Sequence, residues 1–158
     1  MATHLTVVQN GRNGARSGQW AGHVALRTGM DRFAAAFQQY GICRWAVKSR
    51  RGEFLGYSGI MPSWQKHPRR PHMEIGWRLI RRAWGCGYAT EAAETALADA
   101  FGRVGLTEVL AYTGPDNFRS QAVMMRLRLQ RDPARDYTYE IASVVGAHLV
   151  WVARPSNP

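Results

Sequence analysis

Residue types and spacing that can do chemistry concentrate in one segment of the 158-residue chain, Trp84-Gly85-Cys86-Gly87-Tyr88-Ala89-Thr90. Read as a strand end passing through two glycines into a helix, it aims several unpaired backbone N–H groups, and the positive end of the helix dipole, at one point. Such a point suits a phosphate. Gly85 and Gly87 let backbone approach a ligand closely, and the neighbouring Arg81-Arg82 pair offers charge-assisted bonds. Alone, G-x-G before a helix is a weak signal, and a tight turn whose glycines only relieve strain explains it about as well. A dinucleotide fold wants G-x-G-x-x-G and a P-loop wants G-x-x-x-x-G-K-S/T, but Thr90 occupies the third glycine's place, so both nucleotide readings lose ground.

Other chemistries find less support. Histidines at 4, 23, 67, 72 and 148 show no H-x-x-x-H or H-x-E spacing, so no metal is expected. Cys43 and Cys86 stand far apart, which predicts reduced thiols. Gly56-Tyr57-Ser58-Gly59 misses the nucleophile-elbow spacing G-x-S-x-G by one residue.

The elements that must position the glycine segment follow from hydrophobic period. His4–Val8 alternates as one strand, and Thr28–Tyr40 carries Met30, Phe33, Ala34 and Phe37 at helical spacing. Cys43–Lys48 and Glu53–Ile60, joined by the polar Ser49-Arg50-Arg51-Gly52, predict an antiparallel hairpin, and His72–Ile80 predicts a third strand. From Thr90 to Arg103, Ala92, Ala93, Leu97, Ala100 and Phe101 form one apolar stripe, with Glu91 and Glu94 early, Arg103 late and Gly105 beyond. Glu108–Thr113 then predicts a strand, Phe118, Ala122, Met125 and Leu129 a helical face, and His148–Arg154 a terminal strand. The whole is an α/β (α+β) chain read as one domain over residues 1–158.

Apolar residues at 46% and charged residues at 20% match an ordinary globular protein, and no apolar run is long enough for a membrane helix. Without a basic, apolar leader at Met1, cytoplasmic residence is the expectation. The net charge of +10 comes almost wholly from dispersed arginine, with Lys48 and Lys66 the two lysines, so nucleic-acid binding is a minor reading. Oligomeric state is open, a homodimer included.

The stretch from Glu74 to Asp132 resembles the GNAT superfamily of N-acetyltransferases, most closely its RimJ/RimL-like branch, which acetylates ribosomal-protein N-termini. With the hairpin before it and the terminal strand after it, the likeness extends over most of residues 31–154. It implies a mixed, mostly antiparallel twisted sheet flanked by helices, here with an abbreviated N-terminus, and acetyl-CoA as cosubstrate. The family's pyrophosphate motif Q/R-x-x-G-x-G/A falls on Trp84-x-x-Gly87-x-Ala89. Trp84 replaces a Gln or Arg donor there, and Cys86 stands where a basic residue is common, so backbone N–H groups must do more of the holding. By the same resemblance Trp77, Arg78 and Leu79 run along the pantetheine arm, while Gly85, Tyr88 and Thr90 border the diphosphate. Asn117 and Ser120 lie near the pantetheine and thiol, and Asn117 equally suits a helix cap. Leu127-Arg128-Leu129 departs from the family's Leu-Gly-Met/Phe, which predicts an altered helix end.

Attack of an amine on a thioester needs a neutral nucleophile, an oxyanion donor and a proton for the thiolate. Glu74 is the first candidate for base, with a salt bridge to an arginine as the equal alternative. Ser120 is the first candidate for acid, with Tyr112 and Tyr137 behind it. The acceptor is a primary amine, on a protein or a small molecule, with Asp132, Asp136 and Glu140 available to draw a cationic one. A catalytically degenerate acetyl-CoA-binding module is the competing reading.

Overall fold

A computed structural model describes residues 31–63, 71–141 and 144–155. The expected strand at 4–8 and the first residues of the 28–40 helix lie outside these. Residues 31–40 are helical (α1). They are followed by β1 (Arg44–Lys48), β2 (Phe54–Pro62), β3 (Met73–Leu79), α2 (Tyr88–Gly102), β4 (Val109–Thr113), α3 (Phe118–Arg126), β5 (Gln130–Arg131), β6 (Tyr137–Ile141) and β7 (Val144–Ala153). The strands make one twisted sheet in the order β1-β2-β3-β4-β7-β5, with β6 paired to β7. Every pairing is antiparallel except β3 with β4, as the mixed sheet requires.

Side-chain alternation divides the sheet into two faces. Ile60, Ile75, Val109 and Ala111 pack beneath α2, whose Ala93, Ala96, Leu97 and Ala100 are buried against them. The small alanines bring the helix close to the strands, which is why the apolar stripe was readable. Leu110, Val150, Val152 and Tyr137 form a second apolar layer on the opposite face, with Tyr112 and Tyr139 against it. Helix α1 adds Phe33 against Tyr57, Phe37 against Trp45, and a buried Ala36 beside Cys43 and Met61.

β2 carries a glycine whose identity the register dictates. Gly59 has φ +143°, and a Cβ there would lie 2.3 Å from the Cys43 carbonyl oxygen and 2.9 Å from the Arg44 Cα. Strands β1 and β2 approach this closely only because no side chain intervenes.

Three expectations need correction. Helix α2 starts at Tyr88 and not at Thr90, because Gly87, at φ 84°, acts as N-cap and its carbonyl accepts the Glu91 N–H at 3.1 Å. Strand β6 was not anticipated, and β7 begins at Val144, well before His148. Helix α3 stops at Arg126, so Leu129 is no longer on its face, but the altered helix end does not follow. The chain turns out through Arg128 at φ 57°; the Arg128 N–H donates to Met125 O and the Leu129 N–H to Met124 O, both at 3.0 Å. This is the Schellman arrangement, with arginine held where glycine is the usual occupant.

Candidate functional site

The parallel pairing of β3 with β4 consists of one residue pair, Glu74 with Leu110. Beyond it both strands run toward their C-terminal ends without pairing, and the sheet opens. The Ile80 N–H donates to Leu55 O of β2 at 2.8 Å, so by alternation Arg78 and Gly76 also turn their main-chain groups toward β2. Trp77 and Leu79 turn theirs toward the opening, where β4 offers no partner. An extended ligand carrying amides can complete this edge as an added strand would. Of the three residues expected along such an arm, Arg78 is the one whose backbone faces away.

The glycine segment stands at the mouth of the opening. Gly85 and Gly87 have φ of 76° and 84°, and a Cβ on either would meet nothing within 4 Å. Their glycine identity therefore answers to backbone conformation and not to crowding, and the space above the turn is open to a ligand. Gly85, Cys86 and Gly87 are all exposed, and Tyr88, Ala89 and Thr90 form the first turn of α2 with their backbone N–H groups facing the same side. An anion placed here meets the positive end of a 15-residue helix.

Trp84 spends its one N–H within the chain and does not offer it to a ligand as Gln or Arg would. Its indole Nε1 donates to Leu79 O at 2.8 Å, which ties the turn back onto the end of β3. Its exposed ring carries the guanidinium of Arg119, 4.7 Å from the centroid, reaching over from the first turn of α3. Sequence reading missed Arg119, which no motif singles out. The Cys86 thiol is exposed and lies 3.5 Å from Trp84 O, whereas Cys43 is buried and pushed up to about 11, making it inert.

Asn117 caps α3, its Oδ1 accepting the Ser120 N–H at 3.2 Å. The capping role is thus present, and Asn117 with Ser120 stands beyond the end of β4, across the opening from the glycine turn.

Glu74 projects from the other face, where Arg44 meets it. Arg44 Nη2 donates to Glu74 Oε1 at 2.6 Å, and the guanidinium crosses β3 over Gly76, where a Cβ would lie 2.8 Å from Nη2. The salt bridge weighed against a catalytic role is therefore present. Glu74 Oε2, however, is buried with no hydrogen-bond partner among the described residues. Burial raises the carboxyl above its ordinary range, opposed by the charges of Arg44 and Arg32.

Close to Glu74 lies a cluster of rings. Tyr112 packs against His72, Tyr137 and His148, and Tyr139 lies over His148. His148 Nδ1 and the Tyr137 hydroxyl are 2.8 Å apart. Burial pushes Tyr137 up and His148 down, so both are held neutral, and Tyr137 is a weaker acid than expected. Tyr112 and Glu74 thus share a face, while Ser120 belongs to the helix side of the opening. His148 stands at no metal-ligand spacing, so no motif marks it. Its signal was a polar residue alternating with Val150 and Val152.

The carboxylates expected to draw a cationic acceptor do not form an acidic patch. Asp136 pairs with Arg131, and Asp132 with Arg135 at 3.1 Å, leaving exposed Glu140 apart. Among the described residues no three His, Cys, Asp or Glu side chains stand together as a metal site would need. No helix among them is long and apolar enough to cross a membrane. A cavity of about 470 Å³ opens elsewhere, between Phe37, Trp45, Ala92 and Arg103, and is lined by none of the candidate site residues.

Comparison with known proteins gives the arrangement a context. The family model of the acetyltransferase (GNAT) domain matches residues 11–130. The chain is 38% identical to the uncharacterized protein YkkB of Bacillus subtilis over 89 residues, 56% of this chain and 51% of that one. It therefore spans about half the length of that relative. To the uncharacterized N-acetyltransferase YoaA of the same bacterium it is 27% identical over 125 residues, 78% of this chain and 69% of the other. In fold it is similar to Mycobacterium smegmatis RimJ, solved in complex with CoA-disulfide, at a TM-score of 0.67, with 20% identity, 83% of this chain and 61% of that one covered.

Proposed function

For a chain that belongs to the acetyltransferase (GNAT) family, we propose an N-acetyltransferase that moves acetyl from acetyl-CoA to a primary amine by direct attack in a ternary complex. The observation that carries this reading is the open β3 edge, where the Trp77 backbone groups and the Leu79 N–H meet no partner in β4, leading into the Gly85–Gly87 turn. Its order along the chain follows the cosubstrate's chemistry: an amide-bearing arm along the edge, a diphosphate at the start of α2. The RimJ neighbour, solved with a coenzyme A disulfide, supports the same ligand.

In this reading the backbone of Trp77 and Leu79 holds the pantetheine arm. The N–H groups of Gly85, Cys86 and Gly87 and of the Tyr88-Ala89-Thr90 turn hold the diphosphate; side chains of Arg78 and Cys86 add little. Asn117 and Ser120 border the thiol end from α3. A backbone N–H of the Trp77–Leu79 stretch then bonds the thioester oxygen as charge develops there. Glu74 Oε2 takes the proton of the acceptor ammonium, directly or through a water, while Arg44 fixes Oε1. The free amine then forms the N–C bond as the C–S bond breaks. Ser120 donates the proton that the leaving sulfur needs and regains one from the second proton that the attacking nitrogen sheds, relayed through water, and Tyr112 lines the acceptor's approach.

A base raised above the ordinary carboxylate range suits an α-amino group of pKa ~7.7–8.0 better than a lysine near ~10.4. Pairing of Asp132 and Asp136 with arginines also removes the patch that would attract a polyamine. Both points favour a protein N-terminus as acceptor. Calorimetry with acetyl-CoA, followed by release of free thiol across a panel of amine acceptors, tests the proposal. Absence of binding sinks it, and binding without turnover on any acceptor reduces the chain to a cosubstrate-binding module.

A further inference from the structure

The Trp84–Arg119 stack joins the two sides of the β3–β4 opening. Trp84 comes from the turn before α2 and Arg119 from the first turn of α3, 35 positions later. Trp84 is not free to swing, because Nε1 is fixed to Leu79 O. Among the described residues the Arg119 side chain has no hydrogen bond or ion pair, so ring contact alone orients it. The first turn of α3 holds no acidic residue, so the cation sits uncompensated at a positive helix end. Such a placement is unfavourable on its own and becomes favourable once an anion shares it.

The Arg119 Cζ lies 4.7 Å over the indole centre, a cation–π contact that uses none of the guanidinium's N–H donors, which suit bidentate bonding to phosphate oxygens. We infer that Arg119, held over the Trp84 ring, is the fixed cation that binds the diphosphate of coenzyme A in this chain. The inference rests on the acetyl-CoA reading above. It gives Trp84 a positive role at the motif position where a Gln or Arg donor is usual: the ring surrenders direct donation and holds a cation brought from the other helix. Trp84 is the positioning residue and Arg119 the binding one.

The test is calorimetry with coenzyme A, beside a chemical-shift titration with pantetheine, which lacks the diphosphate. Arg119→Ala should weaken coenzyme A by about tenfold, the loss of a charge-assisted bond at an exposed site, and leave pantetheine affinity unchanged. Trp84→Phe, which keeps a ring, should lose less than Trp84→Ala, and Trp84→Ala combined with Arg119→Ala should bind no more weakly than the worse single variant. Raising the salt should cost Arg119→Ala less affinity than it costs the unsubstituted chain. Coenzyme A affinity unmoved by Arg119→Ala, or pantetheine weakened equally, overturns the inference while leaving the acetyl-CoA reading in place. Failure of the unsubstituted chain to bind coenzyme A overturns both.

Discussion

Replacing Arg128 with glycine should stabilise this protein, against the ordinary expectation for a substitution to glycine. Arg128 holds φ 57° at the end of α3, where its N–H and that of Leu129 close the helix on Met125 O and Met124 O. Leu129 and Met124 are 6% and 2% exposed, so the backbone cannot relax from this turn without pulling a buried pair apart. A side chain in the left-handed region costs roughly 1–2 kcal/mol, while glycine gives back roughly 0.5–1 kcal/mol through the freedom of the unfolded chain. The balance is a gain of about 0.5–1 kcal/mol, or a melting midpoint higher by about 1–4 °C for a chain of this length. Urea and thermal unfolding measure it. Arg128→Ala is the control, because it removes the arginine and keeps the Cβ, and it should stay within about 0.5 kcal/mol of the parent. If Arg128→Gly is no more stable than Arg128→Ala, relief of the left-handed strain is not what limits this helix end.

Three other outcomes follow from the same geometry. Glu74→Gln should lower kcat by ~10²–10⁴ and abolish the acidic limb of the rate profile, which in the parent lies above the ordinary carboxylate value because burial raises this group; an unchanged kcat would leave Glu74 as no more than the partner of Arg44. Gly59→Ala should cost about 2–5 kcal/mol in denaturant melts, since it adds a Cβ 2.3 Å from Cys43 O at φ +143°, and a loss below ~1 kcal/mol would mean that β1 and β2 part easily. His148 has its pKa lowered by burial from 6.5, so the unfolded chain takes up the proton first and stability falls as pH drops below about 6.5; His148→Gln should flatten that slope in thermal melts across the range, and an undiminished slope would assign it to another group.

Legibility in the sequence tracked how local the cause was. The stripe Ala92, Ala93, Leu97 and Ala100 named α2 and its buried side, because helical spacing and burial against a sheet impose the same pattern. Its first turn was misplaced since Gly87 caps through a left-handed backbone, and glycine looks alike whichever conformation it adopts. Strand β6 alternates Tyr137 and Tyr139 with Thr138 and Glu140, a readable period of two, but no turn signal separates it plainly from the 3₁₀ turn at Pro133–Arg135. The glycine turn and Glu74 were singled out by motif and position. Their partners were not, because Arg44 reaches Glu74 only through the pairing of Arg44 with Gly59 and of Gly59 with Gly76 across three strands. Arg119 reaches Trp84 only once β4 and α3 have brought it back to the opening.

The single residue pair between β3 and β4 is a seam as well as a mouth. On one side, α1, β1, β2, β3 and α2 come from contiguous chain, and on the other β4, α3, β5, β6 and β7 do too. Each half completes its antiparallel pairings from its own strands, so the sheet pairing that joins them is confined to Glu74 and Leu110, and the core beneath α2 carries the rest of the join. The same economy makes the seam the weakest line in the sheet. Amides of Trp77 and Leu79 should exchange with solvent hydrogen ahead of those of Gly76 and Arg78, alternating along one strand, and a bound cosubstrate acting as the missing strand would erase the alternation.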